Sequence, residues 1–154
     1  MKIKKDTQCI FFKFIDFGKL SYVDEHKKVL DEKGNVSFIK LGKAVNHKKA
    51  QDVLDSNGGI IFRGSYKMNE GKYYYAHLVS FQTFNKDLNC PKYYDELYEP
   101  EKREADCFTV DSMTEIPLDK IDKFITVSNE KPLRVSSKAR IPFIYVKAEK
   151  DIEL

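Results

Sequence analysis

Residues 59–84, GIIFRGSYKMNEGKYYYAHLVSFQTF, decide the fold. Two apolar segments, 59–65 and 73–84, are rich in isoleucine, valine and aromatic residues. They flank the polar stretch MNEGK at 68–72, with Gly71 at its bend. β-branched and aromatic runs bounded by turn residues read as strands, and a short connection between them makes a hairpin. The second run is largely apolar on both faces. A strand reads that way when both faces of its sheet are covered, so the hairpin belongs in the middle of a sheet.

The flanking segments supply the rest of the sheet and its cover. Residues 9–17 (CIFFKFIDF) form a short aromatic strand. Alternation sets Ile10, Phe12 and Phe14 on one face and Phe11, Lys13 and Ile15 on the other. Residues 22–31 space Tyr22, Val23, His26, Val29 and Leu30 for a helix, stopped by Gly34. Residues 35–41 (NVSFIKL) form a strand with Val36, Phe38 and Lys40 opposed to Ser37, Ile39 and Leu41. Asn46 caps a second helix that runs to Leu54 or Asp55, and residues 56–59 (SNGG) stop it. Residues 108–110 read as a brief strand, 116–125 (IPLDKIDKFI) as a short amphipathic helix entered at Pro117, and 141–147 (IPFIYVK) as the closing strand. The order predicts an α+β fold: a curved five- to six-stranded sheet or small open β-barrel with short helices at its ends.

Composition bounds the classes. A chain of 154 residues is one domain by size and can bury about 70% of its unfolded surface without a disulfide or metal staple. We place the domain at 1–147 and read 148–154 as a polar tail that links to further domains. Aromatic content is high, with eleven Phe and nine Tyr but no Trp. Net charge is +3, yet residues 1–50 hold twelve Lys against six Asp or Glu. A basic half beside an acidic segment allows a one-sided face for a polyanion. Three cysteines without paired spacing make no disulfide framework, and a reducing cytoplasm is the expected setting. No apolar run approaches a membrane span, and no membrane partner is expected.

Catalytic motifs are missing. His26 and His47 lie on Lys-rich segments without a zinc-protease pattern, and His77 reads as a half-buried structural histidine in its strand. Gly58-Gly59 precedes a strand rather than a helix, so it is no phosphate loop. Carboxylates between Asp95 and Glu104 fit no calcium loop. No catalytic residue, metal or cofactor is assigned, and an enzyme built on Cys90 or His77 has no motif behind it. What remains is aromatic and basic. Phe38 is followed by Lys40 and Lys43. Lys48, Lys49 and Arg63 come from the adjoining helix and strand, and Tyr66 and Tyr75 from the hairpin. Rings that stack bases, with cations for phosphates, are what single-stranded or flipped nucleotides need.

Residues 26–43 (HKKVLDEKGNVSFIKLGK) resemble a pattern of EVE-like members of the PUA-like superfamily: a helix ending at a glycine, then a strand with an aromatic pair and a basic tail. Residues 59–64 (GIIFRG) and 73–79 (YYYAHLV) look like that family's central hairpin, and 142–146 (PFIYV) like its closing strand. The resemblance implies a nucleic-acid-binding module that holds a base, often modified, in an aromatic cage. Similar domains sit at the N-termini of McrB-type modification-dependent restriction proteins. Carried onto this chain, the base pocket is Ser37, Phe38, Tyr66 and Tyr75, and the phosphate contacts are Lys40, Lys43, Lys48, Lys49 and Arg63. The family usually has tryptophan where this chain has Ser37 and Phe38. The expected partner is nucleic acid, DNA before RNA, with any motor or nuclease on other domains or subunits of a defence complex. The alternative is a protein-interaction domain that uses the acidic, Tyr-rich segment 93–104.

Overall fold

The computed structural model describes residues 1–16, 18–41, 45–64, 70–93, 105–138 and 143–154, Leu41 by its backbone alone. Its architecture is α+β, a mostly β structure with a few short helices. The strands are β1 (Lys2–Ile3), β2 (Gln8–Phe14), β3 (Val36–Leu41), β4 (Gly59–Gly64), β5 (Tyr73–Thr83), β6 (Ala105–Val110), β7 (Thr114–Ile116), β8 (Phe124–Thr126), β9 (Ile144–Ala148) and β10 (Ile152–Glu153). The helices are α1 (Tyr22–Lys33), α2 (His47–Asp55), α3 (Leu118–Ile121) and α4 (Leu133–Ser136).

Both longer helices are closed by local chemistry. The Ser21 hydroxyl accepts the Asp24 N–H at the start of α1. Gly34, in the left-handed region at φ 84°, ends it by donating to the Leu30 carbonyl at 2.8 Å. Asp24 and Glu25 in the first turn and Lys33 in the last complement the helix dipole. In α2 the Asn46 side chain accepts the Lys49 N–H, as the sequence predicts.

The main sheet runs β3-β6-β5-β4-β2-β9-β8 among the described residues, with β7 on β5. The sheet is open: among the described residues no pairing joins β3 to β8. The 59–84 hairpin is present: β4 and β5 pair antiparallel, from Gly59 opposite His77 to Arg63 opposite Tyr73. β2 and β4 pair in parallel, with Phe12 opposite Phe62. β4 and β6 flank β5 on opposite edges, and β7 continues along the β6 edge after the break at residues 111–113.

The sheet folds over on itself at β5. Phe38 on β3 and Phe12 on β2 are four strand steps apart, about 19 Å on a flat sheet. Their ring centroids are 6.3 Å apart. The register shift between Leu78 and Ser80 produces the bend, leaving Val79 exposed. A bulge of this kind lets one strand serve two sheet limbs that pack face to face. Ile10, Phe12, Phe14, Val36, Phe38, Ile60, Phe62, Tyr74 and Phe108 fill the space between the limbs, with α1 and α2 contributing Val23, Ala50 and Val53. The opposite face of β2, β4 and β9 carries Cys9, Phe11, Ile61 and Val146, packed against Ile121, Phe124 and Leu133. The alternation read from residues 9–17 is realised over Cys9–Phe14, where Ile10, Phe12 and Phe14 on one face and Cys9 and Phe11 on the other are buried; the strand ends at Phe14 and Ile15 is exposed.

Three expectations change. The helix expected over 116–125 is only the single turn α3. Ile116 pairs with Tyr73 in β7 and Phe124 with Ala148 in β8, because strand pairing takes both ends of the segment. The brief strand at 108–110 begins earlier, at Ala105. Residues 148–154 return to the fold: β10 pairs with β1, and Ala148 and Ile152 are fully buried. The added strands β1, β7, β8 and β10 are two or three residues long, too short for a period of two to register.

Gly58 and Gly59 are required by close backbone approach. A Cβ on Gly58 would lie 1.7 Å from the Gln8 carbonyl oxygen, and one on Gly59 2.1 Å from that of Ala76. Neither neighbour can yield, since both belong to the central strands. Gly59→Ala is expected to lower stability by at least about 2 kcal/mol in urea unfolding. A wild-type midpoint would refute this packing.

Candidate nucleic-acid interface

The predicted base pocket is interior. Phe38 and Ser37 are fully buried, and Tyr75 is nearly so. Phe38 packs against Phe12 and Phe62 and stacks on the His26 imidazole at 4.2 Å, with the planes 7° apart. The Ser37 hydroxyl is 2.7 Å from that of Thr109 on β6. Tyr75 lies on the opposite face, with Cys9, Phe11 and Ile61. Three residues assigned to one pocket thus point into separate interior environments, and none presents an open ring face. Tyr66 lies outside the described residues, as does Lys43.

The phosphate set divides in the same way. Arg63 leaves β4 on the face opposite Phe62, 5.7 Å over the Tyr73 ring and opposite Lys13 in register. It does not join the other cations. Lys48 is exposed and pairs along its own helix with Asp52 at 3.5 Å. Lys40 and Lys49 do converge. Lys40 follows Phe38 by two residues and so projects between the limbs at the open end of β3. Its ammonium lies 5.0 Å from the Phe12 ring centre and 5.8 Å from that of Phe143. Lys49, in the first turn of α2, lies 4.5 Å over Tyr145. Phe143 and Tyr145 are two residues apart, hence on one face of the same strand segment.

Local bonds hold this rim. The Asn46 N–H donates to the Tyr145 hydroxyl at 3.1 Å, fixing the ring against the start of α2. Asp106 accepts the Val45 N–H at 3.0 Å and lies 3.8 Å from His47 Nε2. His47 meets Phe81 edge-on at 5.2 Å. Burial lowers the Lys40 ammonium from its usual pKa. Among the described residues no carboxylate pairs with Lys40 or Lys49. The rim therefore offers two cations, partly exposed Tyr145 and Phe81 rings, and a helix start, arranged to attract an anion beside a flat apolar group. Sequence reasoning found Lys40 and Lys49 and missed Tyr145, Phe81 and His47. The alternation of Phe143 and Tyr145 in the closing strand was the available signal.

No family model matches the chain, and no curated protein or solved structure matches it either.

His26 shows what the aromatic interior does to an ionisable group. Its Nδ1–H donates to the Tyr22 carbonyl at 2.7 Å, and burial pushes its pKa down to about 3. The unfolded chain binds this proton near pH 6.5 and the folded chain does not. The stabilisation is complete above pH 6.5 and is lost as pH falls from 6.5 toward 3. Between pH 6 and pH 5 the slope approaches about 1.4 kcal/mol per unit. Urea unfolding at those two pH values should show it. His26→Phe should flatten the slope, and an unchanged slope would remove His26 as its cause.

Proposed function

We propose that this protein is a nucleic-acid-binding module whose contact surface is the rim of Lys40, Lys49, Tyr145, His47 and Phe81. The observation that carries the reading is the Lys40 ammonium, partly desolvated over Phe12 and Phe143, with Lys49 beside it on Tyr145. Asp106 is the cross-strand neighbour of Lys40 and is engaged by the Val45 N–H, and among the described residues the Lys40 ammonium forms no ion pair. A half-buried ammonium in that state favours an anionic ligand, and phosphate is the anion that comes with a stackable ring. The resemblance to PUA-like, EVE-like domains supports the same class, and a modified base is the ligand it suggests. DNA is favoured over RNA. The resemblance also suggests a role as the targeting domain of a restriction or antiphage defence protein.

The stacking partner in this reading is Tyr145 rather than Phe38. Phe38 is spent on the interior, and Phe38→Ala would cost about 3–5 kcal/mol of stability. Loss of binding in that variant would therefore report unfolding rather than a lost pocket wall.

Fluorescence anisotropy at two salt concentrations tests the proposal, with methylated and unmodified duplexes, single-stranded DNA and single-stranded RNA. Affinity should fall steeply with salt, and Lys49→Ala should lower the slope of log K against log salt by about 1. Tyr145→Ala should weaken single-strand binding by about 1–3 kcal/mol. Binding to none of these at low salt, or full binding by the Lys40→Met, Lys49→Ala double variant, overturns it.

A further inference from the structure

Two of the three cysteines meet on the outer face of the β3–β6 limb. Cys107 lies on β6 opposite Ile39 on β3, and both are buried. Alternation turns them away from Phe38 and Phe108, which face the inner core. The segment that leaves β5 covers this outer face. At one end of the strap the Phe84 N–H donates to the Ala105 carbonyl at 3.0 Å, on the side of β6 next to β5. At the other end the Asn89 carbonyl accepts the Ser37 N–H at 2.7 Å, and the Asn89 amide donates to Asn35 Oδ1 at 2.9 Å. β3 is the last strand on that side of the sheet, so the strap starts beside β6 and finishes on the outer edge of β3. Residues 85–88 therefore cross both strands. They cross outside, because the inner side is filled by phenylalanines.

Leu88 and Cys90 pack from the strap onto Ile39, Tyr93 and Cys107. The three thiols differ in access. Cys90 is half-buried and reachable from solvent, whereas Cys9 and Cys107 are fully buried. Burial, with Cys90 and Asp106 nearby adding to it, pushes the Cys107 thiol up to about 12. Cys107 therefore stays protonated and is not the first thiol to meet an oxidant. Cys9 is equally buried but packs elsewhere, with Phe11 and Ile61 in the separate interior behind β2.

The geometry points to an oxidation site in which Cys90 takes the oxidant and Cys107 resolves it as an intramolecular disulfide. The oxidant is a peroxide. The Cys90 sulfur attacks the O–O bond, giving a sulfenic acid and releasing an alcohol or, from hydrogen peroxide, water. The Cys107 sulfur then attacks the Cys90 sulfur. The S–O bond breaks, the S–S bond forms, and the Cys107 proton leaves with the hydroxyl as water. Two electrons pass from the thiol pair to the peroxide. The second step is the slower one, because a thiolate attacks and Cys107 is reluctant to become one. The disulfide fastens the strap across β3, the strand that carries Lys40. The site does not depend on nucleic-acid binding, and its test needs no nucleic acid.

The full chain, reduced and then treated with hydrogen peroxide, tests the assignment. Dimedone should trap a sulfenic acid at Cys90 at early times. Peptide mass spectrometry should later find Cys90 linked to Cys107 within one chain, reversed by dithiothreitol, with Cys9 unmodified. In Cys107→Ala the Cys90 sulfenic acid should persist severalfold longer than in the wild type. Cys90→Ser removes only the half-buried thiol, so it keeps the test valid if Cys107→Ala unfolds. It should leave both Cys9 and Cys107 unoxidised under the same treatment. Oxidation of Cys9 or Cys107 ahead of Cys90 overturns the assignment. So does an unmodified Cys90, a Cys90–Cys90 link between chains in place of the internal one, or a sulfenic acid that decays equally fast in folded Cys107→Ala.

Discussion

Phe12 touches three other phenylalanines at once. It stacks on Phe62 at 5.9 Å and on Phe108 at 6.2 Å, and it meets Phe38 edge-on. Phe62 is its in-register neighbour across the parallel β2–β4 pair, whereas Phe38 and Phe108 are cross-strand partners on the far limb. The contact exists only because the sheet folds over. A buried phenylalanine is worth about 3–5 kcal/mol against alanine, a large share of the 5–15 kcal/mol that holds a domain together. The bend of β5, the inward aim of β3 and the packing of α1 over the open face all serve this cluster.

The rim follows from that fold-over. Once Phe38 points inward, the period of two sends Lys40 inward as well, at the open end where it meets Phe143. The bend that closes the limbs also breaks the strand opposite β5. Asp111 falls at that break and reaches His77. Helix α2 then connects the two places: its cap, Asn46, holds Tyr145 at the rim, and the turn after it sets Asn57 against His77.

Much of the fold was legible locally. The alternation in residues 9–17, the Ser21 and Asn46 caps, the Gly34 stop and the central hairpin were each carried by a few neighbouring residues. The candidate site was legible only in part. Lys40 and Lys49 stand out by charge and spacing. Phe38 looked like a stacking residue because an aromatic followed by lysines reads the same whether it faces solvent or another phenylalanine. Arg63 seemed to belong with Lys40 because both follow an aromatic on a strand, yet they leave opposite faces of the sheet. Residues 116–125 have helical spacing, but pairing with Tyr73 and Ala148 outweighs what a four-residue helix can contribute.

By itself the sequence determined the types of the longer elements, the alternation of side chains along their strands and the aromatic content of a tryptophan-free chain. Those depend on backbone sterics, capping and periodicity, which act within a few residues. Only the tertiary structure decided which aromatic faces are covered and which cations meet. Five strands, contributed by segments up to about a hundred residues apart, must pair before Phe12 can find Phe38, and β5 must pair with β6 before Asp111 can find His77. Nothing in the local pattern around any one of them reports that closure.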